Sequence, residues 1–283
     1  MEYIELTCYP ESGGHCRELL VAQLASIGFE SFTEEDEVLN AYIVASAFTE
    51  KIRKTLETPE FKENLLHCSW QLIPDQNWNS VWEASYEPVR IGNQCVIRAP
   101  FHERPENIEF DILIEPKMSF GTAHHETTRL MIMFLLKLDI KGKRVLDMGS
   151  GTGVLAIVAA MRGAAYVAAV DNDEWAYLNA KENMERNRVE QAEVLMGDRS
   201  LLTGLKFDMI LANINRNILM EDMESYRDSL FSGGTMLLSG FYLDDLSLLQ
   251  PKALSLGLEL QDQMTENRWT AACFKLNEQT LHP

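Results

Sequence analysis

The 283 residues exceed one average domain, and at 46% apolar composition they can bury a core in each of two. Against 25 Lys plus Arg stand 43 Asp plus Glu, a formal charge of -18 that repels phosphate backbones and attracts cationic partners, so direct nucleic-acid binding is not expected. Cys8, Cys16, Cys68, Cys95 and Cys273 are scattered without a Cys-x-x-Cys pair, no basic-then-apolar leader follows Met1, and the longest apolar run is Val154 to Met161; this argues against a disulfide frame, a zinc knuckle and a membrane span, and for a cytoplasmic protein.

In chain order, Tyr3 to Tyr9 alternates as a strand does, and Gly13 to Ile27 puts Leu19, Leu20, Leu24 and Ile27 on one helical face that Gly28 terminates. Strands are expected at Phe29 to Phe32 and Val38 to Ser46, separated by the polar turn Thr33-Glu34-Glu35-Asp36-Glu37. A helix capped by Thr49 should run to Leu56, and a last strand should cover His67 to Ile73. The order βαββαβ is that of a ferredoxin-like α+β domain over residues 1–74. Residues 75–88 then read as a short helical connector, in which Trp78 and Trp82 lie four residues apart and would pack it onto a domain.

Residues 89–283 form the second expected domain. Short strand-like runs occur at Val89-Arg90-Ile91, Cys95 to Ala99 and Phe110 to Ile114, after which longer elements begin. Helices are expected at Thr127 to Leu138, Val154 to Arg162, Glu174 to Asn187 and Leu219 to Leu230. Strands are expected at Arg144 to Met148, Tyr166 to Val170, Glu193 to Met196, Phe207 to Ala212 and Gly234 to Leu238. Such alternation means an α/β fold with a doubly wound, mostly parallel sheet.

The run Val145-Leu146-Asp147-Met148-Gly149-Ser150-Gly151-Thr152-Gly153 leaves a strand, turns on glycines and enters an apolar helix, as a loop does when a ligand approaches bare backbone. Dinucleotide binders use Gly-x-Gly-x-x-Gly, whose third glycine would fall at Val154. The spacing here, and Asp147 where a pyrophosphate would lie, fit S-adenosyl-L-methionine better than NAD. Asp171 ends the next strand, where a carboxylate can accept from both ribose hydroxyls, although Asp171 or Asp173 could instead cap the following helix. Asp198, after the third strand, is a candidate for the adenine rim or a plain cap. Asn213, at the end of Phe207 to Asn213, offers a side-chain carbonyl to an attacking amine, or a turn. It continues as Ile214-Asn215-Arg216 rather than with two prolines and an aromatic, which argues against a flipped base as substrate.

The runs Asp75-Gln76-Asn77-Trp78-Asn79, Glu115-Pro116-Lys117-Met118-Ser119-Phe120-Gly121-Thr122-Ala123-His124-His125-Glu126-Thr127-Thr128, the glycine loop, Ala212-Asn213-Ile214 and Leu238-Ser239-Gly240 resemble, in that order, the family that methylates large-subunit ribosomal protein eleven. The resemblance implies a ferredoxin-like substrate-recognition domain, a flexible connector, and a Rossmann-like class I methyltransferase domain. It also implies contacts from Thr128, Gly149, Asp171 and Asn213 to S-adenosyl-L-methionine, with Gly151 and Asp198 completing the expected cofactor set. Lys117, Ser119 and Ala123 depart from the family's usual Pro-Gly-Met-Ala-Phe-Gly-Thr-Gly, which bears on the loop's flexibility.

Read without the family, Thr127 or Thr128 could cap the helix. The adjacent His124 and His125 lack the further ligands a metal needs, so no metal is expected. The reaction expected is methylation of lysine and N-terminal amines of the ribosomal protein, with Asn213 as the catalytic contact. Another lysine-bearing protein, an RNA, an NAD-dependent oxidation and a cofactor-binding module without turnover are the alternatives.

Overall fold

In the computed structural model the described residues are 2–10, 14–35, 38–62, 65–73, 86–116 and 121–278. The connector with Trp78 and Trp82, the run Asp75 to Asn79, and Lys117, Ser119 and Phe120 of the family's most specific stretch lie outside them. The chain divides into two units, Met1–Ser85 and Tyr86–Pro283.

In the first unit, strict alternation sends Ile4, Leu6 and Cys8 of β1 (Tyr3–Pro10) inward, together with Leu39, Ala41 and Ile43 of β3 (Val38–Val44). With β2 (Ser31–Glu35) and β4 (Leu65–Ile73) they form an antiparallel sheet of order β2-β3-β1-β4. Leu20 and Leu24 of α1 (Gly14–Ser26), Leu56 of α2 (Glu50–Leu56) and Phe61 of α3 (Pro59–Lys62) close its core. The order is that of the ferredoxin-like plan.

Details differ from the sequence reading. Leu19 is exposed, because the buried stripe of α1 turns on Leu20 and Leu24. Thr33, Glu34 and Glu35 belong to β2, which pairs with β3 as far as Glu35 with Val38. Thr49 sits at the N-cap of α2 without a side-chain capping bond, and α3 had no counterpart in the reading.

In the second unit, β5 (Val89–Ile91), β6 (Cys95–Arg98) and β7 (Phe110–Leu113) form a three-stranded sheet. There follow α4 (Glu126–Lys137), β8 (Arg144–Met148), α5 (Val154–Met161), β9 (Tyr166–Asp171), α6 (Glu174–Arg186), β10 (Ala192–Met196), β11 (Phe207–Asn213) and α7 (Arg216–Asp228). The chain then continues through β12 (Leu230–Tyr242), α8 (Leu246–Ser255), β13 (Leu258–Glu266) and β14 (Trp269–Leu276). The large sheet runs β10-β9-β8-β11-β12-β14-β13, parallel from β10 to β12 and antiparallel at β14 and β13.

Apolar cores lie on both faces of this sheet. One holds Leu130, Met131 and Ile157; the other holds Leu219, Met223 and Tyr226. The strand order reverses between β8 and β11, which opens a crevice at their carboxyl ends where folds of this kind place ligands. Among the described residues no helix is long and apolar enough to cross a membrane.

Candidate functional site

At the end of β8 the backbone must reverse tightly into α5, and Gly149 and Gly153 do so with φ of 71° and 77°. At Gly149 a Cβ would stand 2.4 Å from Cγ2 of Ile214, so only glycine lets the turn pass that close to the end of β11. Gly149 N and Ser150 N donate to the carbonyl of Val170, at 2.8 and 3.0 Å, and Gly151 N donates to Oδ2 of Asp171 at 2.8 Å. The glycine turn is therefore strapped to the end of β9.

Asp171 also accepts from Asp173 N through Oδ1, at 3.0 Å. An ionised carboxylate has about four acceptor positions, so two remain for donors from the cleft. The following helix is capped by Asp173, which accepts from Ala176 N at 2.8 Å, and this leaves Asp171 facing the opening.

Asp147 is turned inward. It is wholly buried beneath the turn, and its Oδ2 accepts from Ala156 N in the first turn of α5 at 3.1 Å. Oδ1 has no hydrogen-bond partner among the described residues. Burial pushes this carboxyl up to about 7, the Ala156 bond pulls the other way, and the charge of Asp171 adds to the rise.

Across the turn stands Asn213. Its Nδ2 donates to the hydroxyl of Thr128 at 3.3 Å, while its Oδ1 is buried and has no hydrogen-bond partner among the described residues. A buried acceptor left open beside a cleft points to a ligand or substrate donor as its partner. Thr127 and Thr128 are both buried, and of the two Thr127 lines the cleft.

The helix α4 is capped by neither threonine. The ring Nδ1 of His125 accepts from Thr127 N at 3.3 Å, while Nε2 of His124 donates to the carbonyl of Glu87 at 3.0 Å. Two further ring contacts join these histidines to their surroundings: His124 to Tyr86 at 4.6 Å between centroids, and His125 to Trp269 at 4.7 Å.

The resulting cleft has a volume of about 530 Å³ and brings together Gly149, Gly151, Asp171 and Asn213. A smaller annex of about 90 Å³ shares Gly149 and Asp171 with it and adds Asp198, Arg199, Asp222 and Tyr226. Asp198 caps a short 3-10 turn, Arg199–Leu202, and hydrogen bonds from the Ser200 side chain and backbone hold its carboxyl below the usual range. Arg199 pairs with Asp222, whose other oxygen accepts from the hydroxyl of Tyr226 at 3.1 Å. Sequence reading missed Asp222, Tyr226, Thr127, His125 and Trp269 as wall residues. The four-residue spacing of Asp222 and Tyr226 on one helix face was a local signal, and His125 and Thr127 stand in the stretch that carries the family resemblance.

The arrangement fits S-adenosyl-L-methionine on three counts. The glycine turn offers bare backbone, Asp171 has acceptor positions to spare for a ribose, and no cationic side chain stands among the described walls of the larger cleft to receive a pyrophosphate. Comparison with known proteins adds an independent observation: residues 20–277 match the family model described as ribosomal protein L11 methyltransferase.

The chain belongs to that family. A ribosomal protein L11 methyltransferase of Porphyromonas gingivalis is 46% identical over 260 residues, covering 91% of this chain and 90% of that protein. One of Phocaeicola vulgatus is 41% identical over 278 residues, covering 97% and 99%. Among solved structures, the ribosomal protein L11 methylase of Lactobacillus delbrueckii subsp. bulgaricus superposes with a TM-score of 0.64 at 24% identity, over 68% of this chain and all of that one. That likeness shows the same α/β methyltransferase fold. Membership makes the chain a methyltransferase.

Proposed function

We propose that this methyltransferase, acting in the cytoplasm, moves methyl groups from S-adenosyl-L-methionine to lysine side-chain and N-terminal amines of large-subunit ribosomal protein L11. The observation that carries the reading is the buried, open Oδ1 of Asn213 in the cleft that the glycine turn and Asp171 also line. In this reading Gly149 and Gly151 lie against the cofactor, Asp171 accepts from its ribose, Asp198 borders its adenine, and Thr128 holds the Asn213 amide in place. S-adenosyl-L-methionine supplies an electrophilic methyl group on a sulfonium.

The chain's own work is then to bring a neutral amine into line and hold it there. A lysine ammonium with a pKa of about 10.4 must first lose a proton, at roughly 4 kcal/mol near pH 7.4, whereas an N-terminal amine near about 7.8 costs under about 1 kcal/mol. Asn213 Oδ1 accepts a hydrogen from the amine and points its lone pair, and the proton leaves to water. Residues 1–74 choose the substrate in this scheme, since every candidate site residue lies in the second unit.

The test is intact-mass spectrometry of purified L11 incubated with the protein and the methyl donor, beside calorimetry with S-adenosylhomocysteine. Methyl increments on L11 are expected, and Asn213→Ala should lower turnover more than it lowers cofactor affinity. An L11 mass unchanged by the wild-type protein would overturn the reading.

A further inference from the structure

The hairpin between β13 and β14 has only two turn residues, Asn267 and Arg268, because Glu266 pairs directly with Trp269. Both turn residues are left-handed, with φ of 48° and 71°. Neither is glycine, and an arginine in this region carries strain that surrounding bonds must hold. Those bonds are present: Arg129 grips Glu266 at 2.7 and 3.3 Å, Asn267 Nδ2 donates to Glu126 at 3.0 Å, and Leu243 N donates to the Arg268 carbonyl at 2.8 Å. Arg268 also pairs with Asp244 at 3.0 Å. The hairpin tip is thus fastened to the first turn of α4 and to the end of β12.

What this fastening presents is Trp269. The indole lines the same cleft as Asn213, with the ring of His125 edge-on at 4.7 Å and that of Tyr242 tilted against it at 4.1 Å. A half-buried tryptophan backed by two other rings offers an electron-rich surface, and such surfaces attract ammonium groups, best when part of the water is removed. An amine nitrogen that has received a methyl group is positively charged until a proton leaves to water. A trimethylated nitrogen is charged permanently.

Resting on the function proposed above, we infer that Trp269 recognises the cationic, methylated amine. It holds the newly methylated ammonium in the cleft until its proton leaves to water or the product departs. The strained hairpin is the device that holds the indole in place.

Calorimetry on the full chain saturated with S-adenosylhomocysteine tests this with two probes, Nα-acetyl-trimethyllysine amide and its uncharged isostere, in which a tert-butyl group replaces the trimethylammonium. The wild-type protein should prefer the charged probe by about fivefold. Trp269→Leu, which keeps apolar bulk without a ring, should erase the preference, and Trp269→Phe should retain part of it, each variant being measured once saturated with S-adenosylhomocysteine. Equal binding of the two probes by wild type, or a preference that survives in Trp269→Leu, overturns the inference while leaving L11 methylation standing. A wild-type protein that binds no S-adenosylhomocysteine overturns the functional reading and the inference with it.

Discussion

Asp147 has one oxygen on Ala156 N and the other without a partner among the described residues, in a site with no water-exposed face. Its carboxyl, ordinarily near about 3.9 in an unfolded chain, is pushed up to about 7 in the fold. Between those two values the folded protein keeps a proton that the unfolded chain has released, so stability falls as pH rises from about 4 to about 7 and stays lowered above that. Asp147→Asn keeps an acceptor for Ala156 N and carries no charge. At pH 8 it should be more stable than wild type by at least about 1 kcal/mol, with a smaller difference at pH 5. Urea unfolding at both pH values decides this: a difference that does not change with pH would show that Asp147 is not the group responsible. A ligand that brings a positive charge near the turn would act in the opposite direction and favour the ionised form.

At the scale of elements, β12 pairs with the end of β11 through Ser239 and Asn213, and its pairing with β14 is irregular between Leu238 and Phe241. A Cβ at Gly240 would lie 2.1 Å from the carbonyl oxygen of Ile214, whereas one at Gly92, which shares a positive φ, would meet nothing within 4 Å. Gly240→Ala should therefore lower stability by about 2 kcal/mol or more and displace Asn213, while Gly92→Ala should cost only about 1 kcal/mol. Thermal unfolding and cofactor titration of the pair separate the clash from the backbone preference.

The same region shows what was legible in the chain. The buried parallel strands announced themselves as apolar runs, Val145 to Met148 interrupted by Asp147 alone, Val167 to Val170 and Met209 to Ala212, and the glycine turn followed from its spacing. The start of α7 at Arg216 was hidden, because its cap Asn215 sits among residues that read as loop. The last helix and both final strands were missed. β13, at the sheet edge, alternates only at Leu258 and Leu260 before Gln261, Asp262 and Gln263 break the pattern, and α8 contains Pro251. Gly149, Gly151, Asp171 and Asn213 could be named from the chain since each ends or follows a strand. Trp269 could not, because only the pairing of β14 with β12 and β13 carries that indole to the cleft.

For the molecule as a whole, the division at Ser85 and Tyr86 leaves the candidate site entirely within the second unit. A fragment beginning at Tyr86 should bind S-adenosylhomocysteine close to the full chain and lose methylation of intact L11. Both are measured on one preparation, and L11 methylation at the full-length rate would remove substrate choice from the first unit. Starting later than Tyr86 would forfeit two anchors, since the carbonyls of Tyr86 and Glu87 accept from His102 and His124. The formal charge of -18 acts on a different range, drawing cationic protein surfaces toward the enzyme in a manner that salt weakens.

The placing of β14 between β12 and β13 also orders events in time during synthesis. As the ribosome extrudes the chain, β12 emerges well before the strand that pairs with it, and until then one of its edges is open to wrong partners. The late strand closes that edge and, in the same movement, delivers Trp269 to the cleft. A nascent enzyme therefore gains its complete sheet and the aromatic wall of the cleft together, and a chain still short of Trp269 has neither.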